Sequence, residues 1–407
     1  MNSEFVNKLI CGDNLEELSK LPKESVDLIY IDPPFFTHKQ YEVVWGDEAE
    51  VRSFEDRWEG GIEHYISWLE PRVQAMWELL KPTGSFYLHC DWHANAHIRI
   101  MLDKIFGAKS FLNEIIWCYR GAGYPKKDFG KRHDTIFRYS KTNDYKFNLD
   151  DVREEYAEAT KERFKHYIGN VRKSGDFGLQ KLNPLGKQPD DWWQIQPIAP
   201  SANERLGYPT QKPEALLERI IKASSNQGDI VLDAFCGCGT ACVVAQRLKR
   251  KWIGIDISPT AIKLVEKRLD KIGMIKDKDY ITIGSPTTIS ELKNLKPFEF
   301  QNWIINEMQA SHSRKKVGDK GIDGYIDKNL YHEAAGIQVK QSENVGRNVV
   351  DNFKSALNRA KYKKGYIVAF SFGKGASEEA ARLKNSGDVD IELVKVEDLL
   401  SKKITLK

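Results

Sequence analysis

The sequence contains no pair of cysteines in Cys-x-x-Cys spacing, although it has six cysteines, at positions 11, 90, 118, 236, 238 and 242. Zinc ribbons and redox motifs use such pairs, so the spacing argues against a zinc site. Three of the cysteines lie in a glycine-rich stretch, where small side chains suit closely packed backbone. We expect all six to be reduced and to act as small packing residues.

Long apolar runs are also missing, because no uncharged stretch reaches the roughly 18 residues that a membrane-spanning helix needs. Residues 1–5 lack the basic and apolar segments of a signal peptide. We therefore expect a cytoplasmic protein with no membrane partner. At 407 residues, of which 41% are apolar and 29% charged, the chain is long enough for two or three globular domains.

Positively and negatively charged side chains are present in nearly equal numbers. The net charge of +4 does not by itself indicate what the protein binds. Residues 120–181, however, contain 15 Lys or Arg against 10 Asp or Glu, with aromatic residues between them. Such a local excess can face the phosphates of a nucleic acid, or it can be a solvated surface. Charge alone leaves both interpretations open.

Strand and helix patterns alternate along most of the chain. This alternation predicts a doubly wound α/β domain with a parallel sheet. Residues 120–205 interrupt it with polar, basic and turn-forming sequence, and a long irregular insertion of this kind is usually functional. We expect a first domain over 1–275, a linker over 276–296 and a smaller α/β domain over 297–407.

A glycine-rich loop follows one strand pattern and leads into a helix pattern (231–240, Val-Leu-Asp-Ala-Phe-Cys-Gly-Cys-Gly-Thr). Gly237 and Gly239 permit a tight turn close to a ligand, and Asp256 ends the next strand, where a carboxylate can accept both ribose hydroxyls. The loop lacks the glycine patterns of dinucleotide and ATP sites. It suits S-adenosylmethionine, whose positive groups Asp233 and main-chain carbonyls can hold. The alternative is a turn whose glycines serve only the fold.

A second loop, Asp32-Pro33-Pro34-Phe35, leaves an apolar strand pattern at 26–31. The exocyclic amine of a base is a poor nucleophile, because its lone pair is delocalised into the ring. Hydrogen bonds from its N–H groups to Asp32 and to the carbonyl of Pro33 favour a tetrahedral nitrogen that can attack a methyl donor. The prolines hold that carbonyl in place, and Phe35 offers a face for a flipped-out base. The loop predicts catalysis on an amine.

The two loops, in this order, resemble those of the β-class site-specific DNA amino-methyltransferases. The resemblance covers roughly residues 7–270. It implies a Rossmann-like methyltransferase sheet, S-adenosylmethionine as cofactor and double-stranded DNA as partner. It also implies that the irregular region at about 142–204, after a strand at 133–141, is a target recognition domain. The family's Pro and Ser are replaced by Ala234 and Cys238, and neither replacement removes an essential contact that we can name.

The resemblance also assigns the cofactor pocket residue by residue. The acid near the adenosine corresponds to Asp13, and the segment 205–213 places Thr210, Gln211 and Lys212 at the methionine end. The full set of expected cofactor contacts is Asp13, Thr210, Gln211, Lys212, Asp233, Phe235, Gly237, Gly239, Thr240 and Asp256.

Several assignments stay open. Aspartate rather than serine at position 32 favours adenine N6, although the chemistry also permits cytosine N4. Trp192 and Trp193 can stack on bases or pack within a domain. His89 and Asp91, at the end of a strand pattern, could border the base pocket. The sequence leaves a homodimer open.

The C-terminal unit carries Asp323 before one strand pattern, and Gln338 and Lys340 within the next. This arrangement resembles the Mrr-type branch of the restriction-endonuclease fold. The resemblance implies Mg²⁺ bound by Asp323 with an oxygen from Gln338, and an attacking water activated by Lys340. Glu307 on the preceding helix is a candidate additional ligand, and the basic run 313–316 suits approach to DNA. The alternatives are an inactive DNA-binding relative and an unrelated α/β module.

We therefore expect a DNA adenine methyltransferase with a nuclease-like domain, which together would form a restriction–modification polypeptide. The competing interpretations are a cytosine-N4 enzyme whose C-terminal domain only binds DNA, an RNA or small-molecule methyltransferase, and a non-enzymatic DNA-binding protein on the same fold.

Overall fold

The computed structural model describes residues 6–36, 60–121, 123, 125–165, 171–172, 175–176, 182–199, 201–206, 208, 210–284, 286–295, 297–308, 310–312, 321–326 and 334–401. The strands are β1 (Lys8–Cys11), β2 (Val26–Ile31), β3 (Leu80–Cys90), β4 (Phe111–Cys118), β5 (His133–Ser140), β6 (Val171–Arg172), β7 (Gly175–Asp176), β8 (Trp192–Gln194), β9 (Ile230–Asp233), β10 (Lys251–Asp256), β11 (Ile281–Ile283), β12 (Ser311–His312), β13 (Gly324–Ile326), β14 (Ala335–Lys340), β15 (Lys364–Ala369) and β16 (Asp390–Lys395).

The helices are α1 (Asn14–Leu18), α2 (Gly61–Leu79), α3 (Asn95–Phe106), α4 (Glu158–Lys165), α5 (Glu214–Ser224), α6 (Thr240–Arg247), α7 (Pro259–Lys271), α8 (Ile289–Asn294), α9 (Pro297–Glu307), α10 (Arg347–Ala360), α11 (Lys374–Asn385) and α12 (Val396–Leu400).

The first unit is built on a nine-stranded sheet with the order β11-β1-β10-β9-β2-β3-β5-β4-β8. Its strands pair in parallel except for β5, which runs antiparallel to both β3 and β4. The sequence predicted a parallel sheet, so β5 corrects that prediction. The physical reason is the connection: the described residues of the loop from β4 to β5 include no helix, and strands joined by such a direct connection pair antiparallel.

Helices cover both faces of this sheet. On one face Ile29 packs in a buried cluster with Leu69 of α2 and Ile98 of α3. On the other face Leu28 packs with Leu217 of α5 and with residues of α6 and α7. Because successive residues of β2 face opposite cores, the strand is apolar throughout except for Asp27. The doubly wound fold expected from the sequence is confirmed.

The described part of the insertion adds a strand to the large sheet, because β8 pairs in parallel with β4. Trp193 is buried there, and its indole N–H donates a hydrogen bond to the carbonyl oxygen of Asp190 at 3.0 Å. Trp192, its neighbour, is 57% exposed. Trp193 is therefore a packing residue, whereas Trp192 remains a candidate for contact with a ligand.

The second unit is a five-stranded sheet with the order β12-β13-β14-β15-β16. Helices α9 and α12 pack on one face, where Ile337 and Val339 meet Ile304. Helices α10 and α11 pack on the other face, which includes Leu357. This is the smaller α/β domain that the sequence predicted.

Residues 276–296, expected to be a linker, contribute to both units. Strand β11 pairs with β1 at the edge of the large sheet. Leu292 of α8 is buried in the core of the second unit with Ile304. The change from one unit to the other therefore falls between β11 and α8.

Within the ranges given above, no helix is both long and apolar enough to cross a bilayer. All six cysteines are free thiols.

Candidate active site

Four carboxylates lie at the ends of four neighbouring strands or just beyond them. Asp233 and Asp256 are the last residues of β9 and β10, Asp32 follows β2, and Asp13 lies two residues beyond β1. These strands are adjacent and parallel, in the order β1-β10-β9-β2. Parallel strands end at the same edge of a sheet, so the four acids lie along one crevice, where doubly wound proteins bind their ligands.

The two carboxylate oxygens of Asp32 have different surroundings. Its Oδ2 accepts a hydrogen bond from Nζ of Lys212. Its Oδ1 is buried and has no hydrogen-bond partner among the described residues. The ammonium group of Lys212 also lies 5.0 Å from the centre of the Phe35 ring. Pro33 is buried and Pro34 half-buried, so the loop is held against the fold.

The glycine loop is braced by Asp256. The backbone N–H of Gly237 donates to Oδ2 of Asp256 at 2.8 Å, and that of Ser258 donates to Oδ1 at 2.9 Å. A carboxylate has lone pairs beyond these two bonds, so it can still accept from the hydroxyls of a ribose. Gly237 and Gly239 have φ values of +47° and +73°, which favour glycine.

Replacing Gly239 with alanine is expected to destabilise the first unit by about 2–4 kcal/mol, since left-handed backbone and overpacking each contribute. A Cβ atom at this position would lie 2.6 Å from a methyl carbon of Val265 on α7. Gly228→Ala is the matched control, because Gly228 also has a positive φ but no atom within 4 Å of the added carbon. Chemical denaturation followed by tryptophan fluorescence measures both variants, and equal losses would contradict the packing role.

Asp233 is buried, and burial raises the pKa of its carboxyl well above the ordinary value. The nearby charges of Asp32 and Asp256 raise the pKa further, whereas the N–H of Phe235 and the charge of Lys212 lower it. A cationic ligand would relieve this accumulation of negative charge. The electrostatics of the crevice therefore favour a positively charged cofactor.

The affinity for S-adenosylmethionine is expected to increase as pH rises. Asp233 has a raised pKa in the free protein, and a bound cation lowers it, so binding releases a proton. Titration calorimetry in buffers of different ionisation enthalpy measures that release. Asp233→Asn should weaken binding by about 10- to 100-fold, as for a lost charged hydrogen bond, and should reduce the proton release. Unchanged proton release in the variant would contradict the assignment.

The three residues expected at the methionine end of the cofactor have different surroundings. Lys212 contacts the catalytic loop through Asp32. The amide of Gln211 bonds to the backbone on both sides, donating to the carbonyl of Glu204 and accepting from the N–H of Leu206. Gln211 therefore holds its own segment in place, and its contact with the cofactor stays a prediction. Thr210 is exposed, and Gly207 and Pro209 of the segment lie outside the described residues.

Thr240 follows the glycine loop directly, and its expected contact with the cofactor stays a prediction. Its side chain is buried at the start of α6, and its hydroxyl oxygen accepts a hydrogen bond from the guanidinium of Arg268 at 3.1 Å. The same guanidinium donates to the carbonyl of Cys238 at 2.8 Å. Thr240 therefore helps to fix the glycine loop against α7.

Asp13 is linked to the glycine loop through residues that sequence reasoning missed. Arg72 of α2 donates to both carboxylate oxygens of Asp13, at 3.0 and 3.1 Å, and to the amide oxygen of Asn14 at 2.7 Å. Asn14 in turn donates to the carbonyl of Ala234 at 2.7 Å. The sequence did contain a signal for this contact. Arg72 falls on the buried face of α2, and a buried arginine needs a partner for its charge.

An aromatic wall completes this side of the crevice. The ring of Phe235 lies 5.8 Å from that of Trp68 on α2, and the Arg72 guanidinium lies 4.4 Å from the Trp68 ring centre. Phe235 is half-buried, as a residue that contacts a cofactor base would be. Trp68 was also missed from sequence.

His89, near the end of β3, is completely buried beside Asp32. Its Nδ1 lies 3.1 Å from the hydroxyl of Tyr30 and 3.6 Å from Oδ1 of Asp32. Its Nε2 lies 3.4 Å from Oδ2 of Asp134 on β5. The ring of Phe35 meets the imidazole edge to face, with centroids 5.5 Å apart. His89 therefore lies behind the catalytic loop, between two carboxylates.

In the second unit, Asp323 lies beside the strand that carries Gln338 and Lys340, and the site expected from these residues stays a prediction. Oδ2 of Asp323 accepts from the N–H of Val339 at 2.7 Å, which places it beside β14. Gln338 is 5% exposed, and its Oε1 has no hydrogen-bond partner among the described residues. Lys340 ends the same strand and is half-buried. Among the parts of the chain that are described, no group of three His, Cys, Asp or Glu residues forms a metal site.

Glu307 is not part of this site, which corrects the expectation of an additional ligand. Its carboxylate forms an ion pair with Lys263 of α7 in the first unit. Helix α9 packs on the face of β14 that carries Ile337 and Val339, whereas Gln338 faces Gly321 and Ala356 on the opposite side. The basic run 313–316 lies outside the described residues.

The sheet order, the glycine loop and the acids at successive strand ends define a class I methyltransferase fold. A family model described as DNA methylase matches residues 26–267, and one described as restriction endonuclease matches residues 292–402. The chain belongs to the DNA methylase family and carries a restriction-endonuclease-like domain at its C-terminal side.

Curated relatives agree with this assignment. The chain is 30% identical to type II methyltransferase M.BglII of Bacillus subtilis, over 78% of this chain and 81% of that protein. It is 35% identical to DNA adenine methyltransferase YhdJ of Escherichia coli strain K12, over 64% of this chain and 82% of that protein. The solved structure of PvuII DNA methyltransferase (cytosine-N4-specific) is 21% identical over 65% of this chain and 86% of that chain, with a TM-score of 0.46.

Proposed function

We propose that this protein transfers a methyl group from S-adenosylmethionine to adenine N6 in a specific duplex DNA sequence. One observation carries the proposal: Lys212 joins the Asp32 loop to the crevice at the glycine loop. Lys212 bonds to Asp32, and its charge also acts on Asp233, whose strand β9 adjoins β2. An amine acceptor and a cofactor loop therefore share one crevice.

The residues of the crevice suit S-adenosylmethionine. When bound, this cofactor supplies an electrophilic methyl group on a positively charged sulfur. Asp233 offers a buried carboxylate to that charge, and Asp256 offers lone pairs to the ribose. Gly237 and Gly239 keep the loop free of Cβ atoms where the ligand approaches.

Asp32 and Pro33 act on the amine. The carboxylate of Asp32 and the carbonyl of Pro33 accept hydrogen bonds from the two N–H groups and so free the nitrogen lone pair for attack. Lys212 holds Asp32 at Oδ2, and an oxygen of a carboxylate accepts more than one hydrogen bond. Phe35, half-buried beside Lys212, offers the face on which the base stacks.

Adenine is the base that we propose, with cytosine N4 as the alternative. Both bases present an exocyclic amine to which this chemistry applies. The aspartate at position 32 and the similarity to a protein named as a DNA adenine methyltransferase support adenine. The target recognition function of residues 142–204 belongs to the same proposal.

The loop between β4 and β5 supports duplex DNA as the substrate. It starts at the end of β4, at the same edge of the sheet as Asp32. Phe129 on this loop is 93% exposed, with Lys126, Lys127 and Lys131 exposed around it. Nζ of Lys131 lies 3.7 Å from the ring centre of Trp92, which is 45% exposed just beyond β3. Exposed aromatic rings among lysines are suited to bases and phosphates.

Phe129→Ala is expected to lower the rate of methylation of paired DNA by about 10- to 100-fold, as for the loss of one base-stacking contact. A mismatch at the target base should restore much of the rate, because extruding an unpaired base costs less. Ile100→Ala is the control, since Ile100 is also an exposed apolar residue (63%). Methyl transfer from labelled cofactor measures the rate, and an equal defect on mismatched DNA would contradict a role in base extrusion.

The proposed substrate is tested by supplying labelled S-adenosylmethionine with duplex DNA, with RNA of the same sequence, and with free nucleosides. Label in duplex DNA alone supports the proposal. Label in RNA or nucleosides, with none in DNA, would overturn it. Label in none of the three, with measurable cofactor binding, would also count against it.

For the C-terminal domain we propose Mg²⁺-dependent cleavage of DNA. Oε1 of Gln338 supports this, because it has no hydrogen-bond partner in the described parts of the chain, and a buried acceptor without a partner is costly unless a ligand satisfies it. Asp323 would hold the metal and Lys340 would activate the attacking water. With the methyltransferase, this makes the chain a restriction–modification polypeptide. A DNA-binding domain without cleavage is the alternative.

A further inference from the structure

His89 is a buried polar residue that has no role in the methyl transfer proposed above. It is 0% exposed, and its two nitrogens face acids on the neighbouring strands on either side. Asp32 and Tyr30 belong to the β2 side, and Asp134 belongs to β5. A polar ring costs free energy to bury unless its partners are arranged for it. The arrangement here connects the catalytic carboxylate to a second carboxylate.

Methylation of an amine produces a proton that must leave. When the new C–N bond forms and the C–S bond breaks, the nitrogen gains a positive charge, and one N–H bond must then break. Asp32 is the base that contacts this amine in the proposed function, on which this inference rests. Its Oδ1 has no other hydrogen-bond partner among the described residues and lies 3.6 Å from Nδ1 of His89.

We propose that His89 receives the surplus proton from Asp32 and passes it to Asp134, which delivers it to solvent. The proton forms an O–H bond on Asp32, and a half-turn about the soft Cβ–Cγ bond brings it to the His89 side. The O–H bond then breaks as an N–H bond forms at Nδ1. The resulting imidazolium gives up its Nε2 proton to Asp134. The side chain of Asp134 is 14% exposed, so the proton has a route out that His89 itself lacks.

The other groups around His89 suit this role. Burial raises the pKa of Tyr30 well above its ordinary value, and the charge of Asp32 adds to this effect, so the hydroxyl keeps its proton. Burial and Asp134 raise the pKa of Tyr119 to about 12, and its hydroxyl donates to Asp134 at 3.4 Å. The rings of Phe35 and Trp117 close the remaining sides, with centroids 5.5 and 5.4 Å from His89. Lys212 is the cation on the far side of Asp32.

The test is multiple-turnover methylation of duplex DNA with labelled cofactor, measured from pH 6 to pH 9 and in D₂O, because Asp32 must lose its proton before it can accept the next amine. His89→Asn should bind cofactor and DNA as the wild type does, but transfer methyl about 100-fold more slowly, the usual loss for a proton-transfer group. Its rate should rise with pH where that of the wild type is level, because hydroxide replaces the lost acceptor. Asp134→Asn should show the same pH trend with a smaller loss. Ile100→Ala, at a residue that is 63% exposed, is the control and should stay within about threefold of the wild type.

A wild-type rate and isotope effect in both His89→Asn and Asp134→Asn would overturn the relay. So would a slow rate with the pH profile of the wild type, since that is the behaviour of a merely structural residue. Asp134→Asn keeps the test decisive if His89→Asn does not fold. Methylation by the wild type on the same DNA reports separately on the proposed function, and its absence would count against both proposals.

Discussion

Asp32→Ala is expected to reduce the rate of methyl transfer by at least about 100- to 1,000-fold, the loss found when one preorganised acceptor or donor is removed from a reacting group. The variant removes the carboxylate that accepts the amine N–H and leaves Lys212 without its Asp32 partner. Affinity for the cofactor should remain within a few-fold of the wild type, because the glycine loop is braced by Asp256, not by Asp32.

Single-turnover transfer from labelled cofactor and titration calorimetry measure the two quantities separately. Asp32→Asn is the conservative partner variant, since it keeps the size of the side chain and replaces one acceptor with a donor. Both variants should be slow and should bind cofactor. Turnover at the wild-type rate by Asp32→Ala would refute its role, and loss of cofactor binding would move Asp32 to the cofactor site.

Lys340→Ala is expected to abolish Mg²⁺-dependent cleavage of unmethylated DNA, with a loss of at least about 100-fold, because the attacking water loses its activating group. Methyl transfer should be unchanged, since Lys340 belongs to the second sheet. Lys374→Ala is the matched control: the Lys374 side chain is 91% exposed on α11 and should be dispensable for cleavage.

Cleavage is scored on supercoiled plasmid with and without Mg²⁺, and methylation is scored in parallel on the same preparations. Loss of cleavage in Lys340→Ala alone supports the nuclease proposal. Cleavage by neither the wild type nor the variants would leave the C-terminal domain as a DNA-binding module, and cleavage by Lys340→Ala at the wild-type rate would remove that residue from the site.

The strands that carry the site could be predicted from the sequence. Strand Val26–Ile31 has the bounds expected from its apolar run. The acid or loop that follows each strand was placed correctly because adjacent parallel strands end at one edge of the sheet. Local pattern and general topology are enough for this part of the crevice.

Contacts across the crevice could not be predicted in the same way. The bond from Lys212 to Asp32 joins residues 180 positions apart, and that from Arg72 to Asp13 joins residues 59 apart. Sequence places each residue on its element but does not say which opposite side chain it meets. This is why the bonds of Gln211 to its own segment and of Thr240 to Arg268 could not be foreseen, while their contact with the cofactor stays a prediction.

Two strands of the large sheet and one contact of Glu307 could not be predicted from the sequence patterns either. Strand β5 is antiparallel because the described residues of the loop before it include no helix, and the long polar insertion gave no reason to expect that pairing. Strand β11 is only three residues long, in a stretch whose charge looked like a linker. Glu307 was misplaced because its partner, Lys263, lies in the other unit.

The central claim is tested most directly by expressing the chain in a host free of its own adenine and cytosine methylation and sequencing the genome with detection of modified bases. The account predicts N6-methyladenine at one short sequence in cells with the wild type, and none in cells with Asp32→Ala. N4-methylcytosine in place of N6-methyladenine, or modification that persists in Asp32→Ala, would contradict it.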